Sequence, residues 1–260
     1  MGILDPVKPS ILAVRIISNV DRGFAEKLGL GDNHRALGLI TCDIDDALYV
    51  SLDEATKFAE VDVVYAKSFY AGSGYPSGPL SGEIIGMLAG PTPAEVRSGV
   101  DACVTFCEEE AWFYSADEAG QLNFFPHLIS STGTYLSKEA GINPGESLAY
   151  LIAPPLEATF ALALAMKAAD VTMQVYFEPP SETNFSGGLL TGSQSACRAA
   201  CAAFQAAQLA LARGRLPQVL ADLDQLAGLR QVEIHRVAAR RRVVVDLRCS
   251  PPQRQENQVL

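Results

Sequence analysis

The apolar positions divide the chain into short strands and amphipathic helices that recur in a fixed order. Leu37 to Cys42 (LGLITC) is an apolar run of strand length, and Asp53 to Tyr65 (DEATKFAEVDVVY) passes from helical to extended character. From Ser81 onward, SGEIIGMLAGPTPAEVRSGVDACVTF reads as a strand followed by a helix. On that helix Val96, Val100, Cys103, Val104 and Cys107 recur at i, i+4, i+7, i+8 and i+11, a stripe suited to pack on a sheet. Two capping boxes mark helix starts: Ser51 with Glu54, and Thr92-Pro93-Ala94-Glu95 with proline at the first helical position.

The same order returns in the second half. LAYLIA (Leu148 to Ala153) precedes ALAMKAADVTMQVY (Ala163 to Tyr176), and SGGLLTGSQSACRAACAAF continues from Ser186. Lys57 aligns with Lys167, Ala59 with Ala169, Glu60 with Asp170 and Val61 with Val171, an internal repeat. The expectation is an α+β chain of two related units, each an antiparallel sheet with helices packed on it, with the same strand order. Ala196 to Ala212 is so rich in alanine that it suits close approach to a neighbouring helix or subunit; a strong helix former lying on its sheet explains it equally well.

Composition narrows the class. With 260 residues, 48% hydrophobic and 19% charged, the chain can bury one large core or two of roughly 100 residues each. No apolar stretch approaches the ~20 residues of a membrane span, and Met1 to Lys8 lacks a signal-peptide pattern, so no membrane partner and a cytoplasmic location are expected. Four of the six cysteines form C-x-x-x-C pairs (Cys103 and Cys107, Cys197 and Cys201) in helical patterns; with Cys42 and Cys249 they read as small core residues rather than disulfides or a metal site. Residues 1 to 212 hold 11 Lys plus Arg against 25 Asp plus Glu, whereas residues 213 to 260 hold nine Arg and five acids. Such an acidic body disfavours nucleic acid and favours cationic small molecules.

Candidate chemistry concentrates in two loops and one acidic cluster. AGSGYPSGPLSG (Ala71 to Gly82) and PPSETNFSGG (Pro179 to Gly188) come after equivalent strands, and each carries one aromatic, Tyr75 or Phe185. Neither has a phosphate-cradle pattern. Asp43, Asp45, Asp46, Glu83, Glu157 and Glu182 could perform acid/base chemistry, but a solvated acidic rim is the commoner outcome of such a cluster. His34, His127 and His235 lie in no serine or cysteine nucleophile context, which argues against a hydrolase triad and for no catalytic residues.

The repeat, its A-x-K-x-A-x-V segments and the strand-then-glycine loops resemble bacterial microcompartment shell domains in tandem. LGLITCDIDD, DEATKFAEVDVVY, SFYAGSGYPSGP, YLIAPPLEATF and PPSETNFSGGLLTGSQSACRAAC resemble more narrowly the L-type shell proteins of ethanolamine-utilisation microcompartments, over about residues 1 to 215. The resemblance implies two circularly permuted shell domains, residues 1–115 and 116–215, in a homotrimeric pseudo-sixfold tile of the cytoplasmic microcompartment shell. Its implied partners are other shell proteins and ethanolamine, with no cofactor and no enzymatic activity. It further implies a small pore in each subunit, where Asp45, Glu83, Phe113 and Thr183 occupy the ligand positions with Asp46 beside them. Carboxylates would meet the ammonium, the aromatic would pack on it and Thr183 would supply a polar contact. A gated central pore, serving with the small pores for transport of ethanolamine or larger cofactors, would draw on Phe69, Tyr70, Tyr75, Ser77, Glu182, Asn184 and Phe185.

Residues 216–260 depart from the family pattern. This tail contains arginine but no lysine and ends in a Pro/Gln/Arg/Asn mixture with little to bury, which reads as an atypical, poorly ordered extension; a short amphipathic helix over LPQVLADLDQLAGL is the other reading. Two other functions stay open at this level: an enzyme using Asp45, Asp46 and Glu83, and a cytoplasmic protein that binds or senses a small amine.

Overall fold

The computed structural model describes residues 1–68, 83–179 and 185–214, together with two strands of the tail. In the first repeat the elements are β1 (Pro6–Val7), β2 (Ile11–Ile17), α1 (Arg22–Leu28), β3 (Ala36–Cys42), α2 (Asp45–Phe58), β4 (Asp62–Ser68), β5 (Ile84–Gly90), α3 (Pro93–Glu109) and β6 (Phe113–Ser115). The second has β7 (Asn123–Ile129), α4 (Thr134–Ala140), β8 (Ser147–Ala153), α5 (Pro155–Ala168), β9 (Val171–Phe177), β10 (Ser186–Gly192) and α6 (Gln194–Ala212). In the tail, β11 (Glu233–Val237) pairs antiparallel with β12 (Arg242–Asp246), a hairpin that the polar composition did not announce.

The strand order carries the repeat into three dimensions. One sheet runs β2-β3-β5-β4, and the other contains β7-β8-β10-β9, the same order displaced by one repeat; β1 and β6 extend the second sheet beyond β7. All these pairings are antiparallel. The inner strands β3 and β8 are largely buried, whereas the edge strand β9 alternates between half-buried and exposed residues and the edge strand β4 mixes the two before ending at buried Ser68. α3 packs on β2, β3 and β5 and on α2; α6 packs on β7, β8 and β10 and on α5. Both readings of the alanine-rich α6 therefore apply, since buried Ala200, Ala203, Ala207 and Ala210 let it lie close to its neighbours.

The apolar stripe of α3 forms as expected, with Val96, Val100, Cys103 and Cys107 buried. Its start is also as read: the Thr92 hydroxyl accepts from the Glu95 amide at 3.2 Å. The Glu95 carboxylate does not return to the cap, however, but accepts from the Glu60 amide at 2.9 Å, tying the first turn of α3 to the turn between α2 and β4.

Ser51 is not a helix cap. α2 begins six residues earlier, with Ile44 at the cap position and Asp45 and Asp46 in its first turn, and the Ser51 hydroxyl donates to the Ala47 carbonyl within the helix. An S-x-x-E spacing also suits neighbours on one helical face, so the pattern alone could not separate a start from an interior turn. The second glycine loop is likewise shorter than read, because Ser186, Gly187 and Gly188 already belong to β10. A Cβ on Gly187 would lie 2.0 Å from the Leu151 carbonyl oxygen, so these glycines serve close strand packing rather than a turn. Cys42, Cys103, Cys107, Cys197 and Cys201 are all buried, as core residues should be; Cys249 lies outside the described residues. Among the described residues no helix is long and apolar enough to cross a membrane.

Candidate functional site

Where the two repeats face each other, a cavity of about 720 Å³ opens between residues of β4 and β9, with α4 contributing to its wall. The first turn of α2 brings Asp45 and Asp46 to it; Tyr49 and Ser68 come from the same repeat, and Tyr150, Phe177 and Phe185 from the other. The helix start favours acids electrostatically, which offsets part of the cost of placing two carboxylates there.

Both aspartates are buried, with 7% of Asp45 and 6% of Asp46 exposed, so the solvated-rim expectation fails for them. Each is held by a hydroxyl. The Tyr150 hydroxyl donates to Asp46 Oδ1 at 2.7 Å, and the Ser68 hydroxyl donates to Asp45 Oδ2 at 2.7 Å. The Ser68 hydroxyl also lies 2.7 Å from the Tyr49 hydroxyl, which accepts from the Ser68 amide at 2.9 Å. Burial, then the charge of Asp45, pushes the Asp46 carboxyl well above the usual carboxylate range, and the bond from Tyr150 only partly opposes this. Glu83, just before β5, is exposed and does not line the cavity; partial desolvation and then the charges of Asp45 and Asp43 raise its carboxyl as well. Asp43, half-buried, accepts from the Ser10 amide at 2.6 Å, while Glu157 stands in the first turn of α5.

Phe113 occupies a different depth. It is 4% exposed, stacks on Phe125 with centroids 4.9 Å apart, and meets Phe185 edge-on at 5.9 Å. Phe185, half-buried, joins it to the cavity. Thr183 and the gate residues Phe69, Tyr70, Tyr75, Ser77, Glu182 and Asn184 lie outside the described residues.

Tyr49, Ser68 and Tyr150 were missed from the sequence. The signal available was Tyr150 itself: a phenol in the apolar interior of the strand SLAYLIA must find a buried partner, and a carboxylate is a strong one. The arrangement gathers hydroxyls, aromatic faces and negative charge at one wall, a chemistry that suits an organic ammonium.

Comparison with known proteins agrees with this fold. The BMC domain family matches residues 36–116. The chain is 57% identical over 212 residues to the bacterial microcompartment shell protein EutL of Clostridium perfringens, covering 82% of this chain and 98% of that protein. It is 53% identical over 213 residues to the EutL shell protein of Salmonella typhimurium, covering 82% and 97% respectively. The crystal structure of the ethanolamine utilization protein EutL from Leptotrichia buccalis superposes with a TM-score of 0.80 at 58% identity, covering 83% of this chain and 99% of that one. The chain therefore belongs to the EutL family of bacterial microcompartment shell proteins, structural components of a protein compartment in the cytoplasm rather than enzymes.

Proposed function

We propose that this protein forms homotrimeric tiles in the shell of an ethanolamine-utilisation microcompartment, beside other shell proteins, and that its inter-repeat cavity takes up ethanolamine. The observation that carries the reading is the pair of buried carboxylates, Asp45 and Asp46, on the wall of a cavity also lined by tyrosines. Ethanolamine carries an ammonium at neutral pH, and the acidic cluster with Glu83 attracts it. A site that admits a solute for passage must also let it leave, which fits an open cavity with few direct anchors. In this reading Phe113 acts through Phe185, and Thr183 supplies a further polar contact. The glycine-rich segments around Tyr75 and Asn184 surround the trimer axis and gate a central opening, with Phe69, Tyr70, Ser77, Glu182 and Phe185. The chain divides into shell domains at 1–115 and 116–215, with 216–260 as an appendage.

Calorimetric titration of ethanolamine into the Asp45→Asn and Glu83→Gln variants tests the site, with light scattering to monitor assembly. Loss of a charge-assisted hydrogen bond, worth about 1.5–3 kcal/mol, weakens affinity by roughly ten- to a hundredfold while the trimer persists. Unchanged affinity in both variants would remove these carboxylates from the site, and a strict monomer would remove the tile.

A further inference from the structure

In the second repeat, the segment that leads from β7 into α4 is gripped by one face of α2 of the first. Tyr49, Asp53, Thr56 and Lys57 fall at i, i+4, i+7 and i+8 along that helix. Asp53, 1% exposed, accepts from the Gly133 amide at 2.7 Å and from the Leu136 amide at 2.8 Å. The Thr56 hydroxyl oxygen accepts from the Thr134 amide at 3.0 Å, and Lys57 Nζ donates to the Ser131 carbonyl at 3.1 Å. Above them the rings of Tyr49 and Tyr135 stack with centroids 6.4 Å apart.

These contacts replace a cap that α4 does not possess. Its cap position is Gly133, which has no side chain to bond the free amides of the first turn. No other residue fits there: a Cβ would stand 2.2 Å from Thr56 Oγ1 and 2.5 Å from the Asp53 carbonyl oxygen. The cap is supplied from 80 residues earlier in the chain. The first turn of α4 is itself cavity wall, since Thr134, Tyr135 and Leu136 line the same space as Asp45 and Asp46. A single helix thus presents the acidic pair at its start and clamps the facing wall two turns later.

We infer that Asp53 is a positioning residue for the cavity: through Gly133 and Leu136 it holds α4 in place and thereby sets how bulky an ammonium the cavity admits. The inference rests on the reading of the cavity as an ammonium site. Without the clasp, α4 has no cap of its own, and its tyrosine and leucine no longer have a fixed distance from the acidic pair.

The test is Asp53→Asn in the full chain. Asparagine keeps the shape but turns an NH2 group towards one of the two amides, donor against donor. Two measurements are made: hydrogen exchange by mass spectrometry, and calorimetry with ethanolamine and its trimethylated analogue choline. Expected are exchange at least tenfold faster in residues 131–140 with β3 and β8 unchanged, and an ethanolamine-to-choline affinity ratio reduced at least fivefold. Should that variant fail to fold, Thr56→Val removes one bond of the clasp and is expected to move both readouts in the same direction, less far. Faster exchange spread over the whole chain, or a loosened α4 with an unchanged ratio, overturns the positioning role while the cavity reading stands. A wild-type protein that binds neither amine overturns the cavity reading, and this inference with it.

Discussion

Replacing Asp46 by asparagine is expected to stabilise the protein at neutral pH, the opposite of what most substitutions at buried positions do. Asparagine keeps the shape, and its amide oxygen still accepts from Tyr150, so a hydrogen bond worth about 1 kcal/mol survives. The substitution removes a buried negative charge beside Asp45. For scale, two unit charges about 4 Å apart repel by about 4 kcal/mol at an effective dielectric constant of about 20, and by less at greater separation. Against this, an acid in the first turn of a helix gains about 1 kcal/mol from the helix dipole. The balance favours asparagine by about 1–2 kcal/mol. The upward displacement of the Asp46 carboxyl, caused first by burial and then by Asp45, has the same sign. Because the folded protein holds this proton more tightly than the unfolded chain does, the burden is absent below the ordinary carboxylate range. It grows as pH rises through the elevated folded value. The stability gap between variant and wild type should therefore be small in acid and largest at neutral pH. Urea denaturation across a pH series, at one protomer concentration because an oligomer's stability depends on it, measures the gap. A variant less stable than wild type at neutral pH, or a gap that ignores pH, would refute the reasoning.

The packing carries two further expectations. Gly187→Ala forces a Cβ to within 2.0 Å of the Leu151 carbonyl oxygen, so β8 and β10 must part; a loss of more than about 3 kcal/mol in urea denaturation is expected, and one below about 1 kcal/mol would mean the strands yield easily. Burial pushes His127, stacked on Phe125 at 5.0 Å, down to about 4, so stability falls as pH drops from about 6.5 through that value, by up to about 3 kcal/mol. His127→Phe should flatten that part of the profile, and an unaltered acid slope would assign the loss to other groups.

Much of the architecture was legible because it is written locally. The apolar stripe of α3 and the Thr92 cap depend on residues within a few positions of each other, and the aligned lysines of the two halves announce a repeated strand order. The same local rules misled at Ser51, where the spacing of a cap coincides with that of neighbours inside a helix. They also assigned Ser186 to Gly188 to a loop, since composition does not distinguish a glycine that turns the chain from one that lets two strands meet.

By itself the sequence determined the two α+β units, the apolar faces of their helices, the burial of the five cysteines among the described residues and the acidic character that suits a cationic solute. Only the tertiary structure decided which acids leave the surface and what holds them. The Asp46 carboxylate meets the Tyr150 hydroxyl across 104 residues of chain, and Asp53 caps a helix whose cap position, Gly133, lies 80 residues later. Such pairings depend on how two sheets and the helix between them are set against each other. Side-chain periodicity states which face of an element is apolar, but not which distant polar group that element will meet.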